Sequence, residues 1–367
     1  MTIPFNDLAR RSEGERSELL AGVERVLDGG RFVFGEELER FEAEFATYCG
    51  AGFAVGVASG TDAITLALTA VGVGAGDEVI TAANTCIPTI AGIEAAGAVP
   101  VLVDCDPRTF TLDPELIEEA ITARTRALLP VHLYGQCADL DAILAVAAEY
   151  GLEVVEDCAQ AHGAEQRGRR AGSFGAAAAF SFYPTKNLGA LGDAGAVVTS
   201  DQDVAERVRL QRNYGERERF EHVLRGRNSR LDTLQAALLR TKLPHLNGWN
   251  ERRRSLAAGY TAALAGSTVT PPVEGEGRRH VYHLYVVRAP NRDAFRAALT
   301  DAGIATAIHY PMPVHRQPAY GDLAPSGRSL ATCERLAAEI VSLPLYPELT
   351  DEEAERIAAA AAAAGAT

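Results

Sequence analysis

The chain lacks any excess of positive charge. Its 35 Lys and Arg stand against 49 Asp and Glu in 367 residues, a formal charge of −14, which argues against nucleic acid or an anionic membrane surface as partner. A phosphorylated ligand stays admissible, because backbone N–H groups and a few hydroxyls can hold a phosphate. No run of about 18 apolar residues could span a membrane, and the opening MTIPFNDLARRSEGER has no apolar core of signal-peptide length. The cysteines at 49, 86, 105, 137, 158 and 333 show no CxxC or zinc spacing, so they read as reduced thiols of a cytoplasmic protein. There is no internal repeat.

What is present is an ordinary globular composition, 47% hydrophobic and 23% charged. The length exceeds the roughly 250 to 300 residues at which single cores stop growing, so two domains are expected. Short apolar runs predict strands at 53–58, 78–81, 99–103, 127–131, 153–156, 178–182 and 196–199. Between them, helical spacing marks 61–71, 88–96, 114–123 and 140–150, and 12–28 and 36–49 form helices ahead of the first strand. This alternation predicts an α/β fold with a mostly parallel sheet flanked by helices. A helical stretch opens at Leu231, with another over 249–264, and the Gly/Pro-rich 266–277 changes the composition. Beyond it, strands at 283–288 and 305–308 and helices at 293–302 and 330–341 predict a smaller C-terminal α/β domain. The boundary falls near residue 250, giving 1–249 and 250–367.

Three stretches look like parts of one site. In FSFYPTKNLGALGDAG, Lys186 lies between an apolar strand and a Gly-punctuated turn. Apolar neighbours there would lower its pKa toward that of a Schiff-base lysine, although a lysine at a strand end can equally keep its head in water. In VASGTD a strand runs through Gly60 and Thr61 into a helix, which suits a phosphate cradle but also a plain N-cap. In LEVVED a strand ends in carboxylates, so Asp157 could face the crevice at the strand ends or serve as a solvated turn residue. A cofactor with a phosphate, an aldehyde and a basic ring nitrogen would satisfy all three, and pyridoxal 5′-phosphate has that layout.

Together with PFNDL, ASGTDAI, NTCIPTIAGIEAAGAVPVLVD, VHLYGQ, VVEDCAQAHGA, RNYG, RNSRLDTLQAA and HYPMPVHRQPAY, these stretches make the chain resemble the DegT/DnrJ/EryC1/StrS sugar aminotransferases, fold-type-I pyridoxal-phosphate enzymes. The resemblance implies that Lys186 is the Schiff-base lysine and proton shuttle and that Asp157 pairs with the pyridinium nitrogen. It places Gln160 on the ring face or phenolic oxygen, and Gly60, Thr61 and Ser181 on the phosphate. Asn228 would reach the partner's phosphate across a homodimer with composite sites. Cys86 stands where many relatives carry an aromatic against the ring, so stacking there is reduced, or the residue is simply small and buried.

The same resemblance implies transfer of an amino group from L-glutamate to a nucleotide-linked keto-sugar. Tyr183 three residues before the lysine, with Gly-Ala-Leu-Gly-Asp after it, looks like members that aminate C-3, which favours a dTDP-linked 3-keto-6-deoxyhexose. A 4-keto or UDP-linked 3-keto sugar is the alternative, and a non-catalytic regulator is the alternative of another class. Tyr183, His309, Tyr310, His315 and Tyr320 are expected near the sugar or the cofactor mouth. Arg212, Arg227 and Arg230 are candidates for a carboxylate or diphosphate. No metal is expected, because the prolines around His309 and His315 make an irregular loop without a paired carboxylate.

Overall fold

The structure is a computed structural model describing residues 2–366. Seven strands form the central sheet: β1 (Phe53–Val57), β2 (Glu78–Ala82), β3 (Val99–Val103), β4 (Thr125–Leu128), β5 (Glu153–Asp157), β6 (Ala177–Ser181) and β7 (Gly195–Thr199), in the order β1-β7-β6-β5-β4-β2-β3. All pairings are parallel except those of β7, which runs antiparallel to β1 and β6. Successive residues of a strand face opposite sides. Ala178 and Phe180 therefore pack with Phe41 and Phe45 of α3 (Glu36–Cys49), while Ala177 and Ala179 join Ala63 and Leu66 of α4 (Gly60–Ala70) on the other face. Phe45 is fully buried and meets Phe180 edge-on at 5.0 Å. Truncating such a residue to Ala costs about 3–5 kcal/mol.

Register brings the functional ends together. Val57 lies opposite Gly195, Gly195 opposite Ser181, and Asp157 opposite Ala179 on the next strand. Gly195 has no alternative: a Cβ there would sit 2.3 Å from the Ser59 carbonyl oxygen. In the C-terminal part, β8 (Tyr285–Arg288) pairs antiparallel with β9 (Ile340–Leu343). These strands pack with Tyr260, Phe295, Leu299 and Ile357. Ile3 joins that cluster and forms a bridge with Ile304, so the start of the chain closes on its second half.

Several elements depart from the expectations. The helix expected over 12–28 is two, α1 (Leu8–Gly14) and α2 (Arg16–Gly29), jointed at Glu15. The helix expected over 114–123 is two single 3₁₀ turns, Pro114–Leu116 and Glu118–Ala120. Buried Ile117 and Ala120 are three apart, a spacing that three residues per turn puts on one side. The stretch from Leu231 is a helix over Thr233–Lys242 and a 3₁₀ turn over Leu243–His245 at Pro244, before a second helix over Leu246–Ala263. Proline's missing N–H accounts for the break. The strand expected at 305–308 is one bridge, Ala307 to Ser342. The helix expected to run to Val341 stops at Glu339, because β-branched Ile340 and Val341 pair with β8.

Candidate active site

At the carboxyl ends of β1, β5 and β6 lies a cavity of about 380 Å³ with Gly60, Thr61, Cys86, Asp157, Gln160, Ser181 and Lys186 in its wall. Ser59 caps α4, its hydroxyl accepting from the Asp62 N–H at 3.1 Å. The helix therefore starts at Gly60 with its first N–H groups facing the cavity end. A Cβ on Gly60 would lie 2.5 Å from Ser181 Cβ, so glycine keeps the space between helix and strand open.

Asp157 closes β5, buried, with both carboxylate oxygens engaged. Oδ2 accepts from the Thr89 hydroxyl at 2.8 Å, and Oδ1 from the Ala159 N–H at 3.1 Å. Burial pushes its carboxyl above the usual range, against those bonds and the charge of Lys186. Lys186 closes the turn Tyr183-Pro184-Thr185-Lys186, its N–H bonded to the Tyr183 carbonyl at 2.8 Å. Proline at the second turn position presets that geometry. Desolvation lowers the Lys186 pKa, opposed by Asp157 and then Cys86, which raises the share of free amine at neutral pH. Behind the turn, Arg11 donates to the carbonyls of Lys186 (3.2 Å) and Asn187 (2.7 Å).

Gln160 is held by the Tyr134 N–H on its Oε1 (2.6 Å) and donates to the Tyr310 phenol at 3.2 Å. Tyr310 also neighbours Cys86, whose thiol is kept protonated by burial. The adjacent Glu156 turns away from the cavity. It accepts from the N–H groups of Gly172, Phe174 and Gly175 and from His132 Nε2 at 2.8–2.9 Å. His132, Glu156 and Cys158 place ligand-type atoms within 4.8 Å of one another. However, the one imidazole lone pair of His132, on Nδ1, accepts from the Ala138 N–H, and Nε2–H donates to Glu156, so neither nitrogen is open to a metal.

The DegT/DnrJ/EryC1/StrS aminotransferase family matches residues 13–362. The chain belongs to that family. It is 52% identical over 97% of its length, and 94% of the relative's, to dTDP-3-amino-3,4,6-trideoxy-alpha-D-glucose transaminase of Streptomyces venezuelae. To the erythromycin biosynthesis sensory transduction protein EryC1 of Saccharopolyspora erythraea it is 51% identical over 98% of both chains. The crystal structure of S. venezuelae DesV in complex with a ketimine intermediate superposes with a TM-score of 0.95 at 52% identity, covering 98% of this chain and 97% of that one.

This aminotransferase uses pyridoxal 5′-phosphate, and the wall fits that group. A glycine-opened helix N-terminus with two hydroxyls, a buried carboxylate and a desolvated lysine share one space. Tyr183, His309 and Tyr310 also line the cavity, Tyr183 with 53% of its surface exposed. The structure puts His315 and Tyr320 elsewhere: His315 is buried against Glu334 at 2.8 Å, and Tyr320 packs beside Leu323 at the cluster around Val314. Arg230 is also outside the wall, bonded to Asn213 Oδ1 at 2.9 Å. Arg212 is taken up by Glu42 and the Gly56 carbonyl, and Arg227 reaches the Ala95 carbonyl at 3.3 Å. Asn228 is exposed on the single chain.

Sequence reading missed Thr85, Thr89 and His283, all in the wall. Hydroxyls four apart at a helix start are a usable signal for the threonines. His283 carries none: it comes from the second half of the chain, held there by the N–H groups of Val281 and Leu284 on the carbonyls of Gly135 and Tyr134, with its ring 3.2 Å from Asn187 Oδ1.

Proposed function

We propose that the enzyme moves an amino group from L-glutamate to C-3 of a dTDP-linked 3-keto-6-deoxyhexose, yielding a dTDP-3-amino sugar. The observation that carries this reading is the joint placement of Lys186 and Asp157 on the Gly60–Thr61 cavity. The 3-amino sugar named for the S. venezuelae relative supports the position and the nucleotide. Bound pyridoxal phosphate supplies the electron sink for breaking a C–H bond beside the nitrogen. Asp157 would hold a proton on the ring nitrogen, a cation that favours the ionised carboxylate despite burial. The Lys186 amine would take up and return the proton that the reaction moves. The N–H groups of Gly60 and Thr61, with the Thr61 and Ser181 hydroxyls, would hold the phosphate. Gln160 and Cys86 would bound the ring.

The active unit in this reading is a cytoplasmic homodimer in which Asn228 of each subunit completes the other's phosphate site. Phe220, 80% exposed on the short hairpin of Glu216–Glu218 and Glu221–His222, gives such a surface an apolar anchor. A large domain over 1–249 and a smaller one over 250–367 are consistent with the separate apolar cluster around Tyr260 and Phe295. The test is to equilibrate the purified enzyme with L-glutamate and the keto-sugar and locate the new amine by NMR. Amine at C-4 only, or turnover confined to a UDP-linked sugar, would replace the substrate proposed here.

A further inference from the structure

Beside the cofactor cavity lies a second one of about 310 Å³, which shares Tyr183, His283 and His309 with it and extends to Phe5, Asn6 and Arg253. Arg253 is 2% exposed. Its Nη1 donates to the carbonyls of Leu345 at 2.7 Å and Tyr282 at 3.2 Å, while its Nε is buried without an acceptor. Among the described residues it forms no ion pair. Burial pulls its pKa down to about 9, with Arg11 acting the same way and Glu348 against, so it is still a cation at neutral pH. Burial keeps His309 and His283 neutral there, His309 at about 4. Arg253 is thus the one charged side chain lining this cavity at neutral pH, and the side chain of Asn6 has no hydrogen bond among the described residues.

A buried cation in no ion pair, opening on a small space next to the reactive amine, is a receptor for a carboxylate. We infer that this cavity is the amino-donor subsite and that Arg253 binds a donor carboxylate in it, with Asn6 as a second polar contact. The inference rests on the reading above that an amino acid is the donor. The two substrates use Lys186 in turn, and the compact diacid suits this recess while the nucleotide-linked sugar needs the open mouth by exposed Tyr183.

The experiment uses the holoenzyme and follows the absorbance of the bound cofactor in each half-reaction, titrating L-glutamate in one and a dTDP-3-amino sugar in the other. Arg253→Met is expected to raise half-saturating L-glutamate about tenfold to a hundredfold, the effect of losing a hydrogen bond to a charged group. The amino-sugar value should stay within about twofold, and Arg253→Lys should recover part of the loss. Asn6→Asp provides a variant that leaves the Arg253 carbonyl contacts intact. Its carboxylate competes for the same cation and should weaken glutamate alone. Equal change in both half-reactions, change for the sugar only, or no change for glutamate in Asn6→Asp overturns the inference. A wild-type enzyme that ignored L-glutamate but responded to another amino acid would overturn the donor proposed above, and the same comparison with that acid would then decide the role of Arg253.

Discussion

The Thr89 hydroxyl lies 2.8 Å from Oδ2 of Asp157 and is itself 2.8 Å from the Thr85 hydroxyl. A hydroxyl donated to a buried carboxylate favours its ionised form, so this pair works against the burial that pushes the Asp157 carboxyl upward. Thr89→Val is expected to move the acid limb of the kcat profile to higher pH and to lower the plateau about tenfold. Rates measured across pH for the folded variant check this, and an unmoved acid limb would count against the role given to Asp157. Asp157→Ala should slow the L-glutamate half-reaction by orders of magnitude while the chain still folds.

Gly60→Ala puts a Cβ 2.5 Å from Ser181 Cβ and 3.0 Å from its Oγ. Overpacking of this kind costs about 1–3 kcal/mol, and here it also fills the phosphate end of the cavity. Equilibrium dialysis should show cofactor affinity falling well beyond what the drop in melting temperature explains. Adding Ser181→Gly should return part of the stability by removing the clashing atoms.

Lys186 is the one lysine in the cavity wall. Borohydride treatment of the holoenzyme should fix the cofactor covalently on the peptide containing Lys186, as read by mass spectrometry. Lys186→Ala should bind the cofactor reversibly and give no fixed adduct, and an adduct on that variant would refute the assignment.

Glu156 tests the scaffold rather than the chemistry. Burial alone would raise its pKa, but the bonds from His132, Gly172 and Gly175 outweigh it and hold the carboxyl below its ordinary range. Glu156→Gln turns one acceptor oxygen into a donor and strands two of its four partners, a cost of about 2–5 kcal/mol in urea unfolding at pH 7. Because the folded pKa is the lower one, the stabilisation is complete above the unfolded value of about 4.3. It is lost as pH falls through the folded value. The gap between wild type and variant should therefore narrow in acid.

Local pattern was enough to place seven strands, six of them as short apolar runs bounded by turn residues, whereas the run at 127–131 meets β4 (Thr125–Leu128) only at Ala127 and Leu128, because its first half is Thr-Arg. It was also enough to single out Lys186 and Asp157, because Tyr-Pro-Thr-Lys and Glu-Asp sit where strands end. Helix lengths went astray where burial every third residue or a proline overrode helical spacing, as at Ile117 and Pro244. Only the tertiary structure decided that Thr89 meets Asp157 across 68 positions, that Gln160 is shared between Tyr134 and Tyr310, and that His315 turns to Glu334 instead of the cavity. Spacing and composition describe what a residue can do with its neighbours in the chain. Which partner it finds is set by strand register and by the packing of the C-terminal part against the sheet, and neither is written in any short stretch.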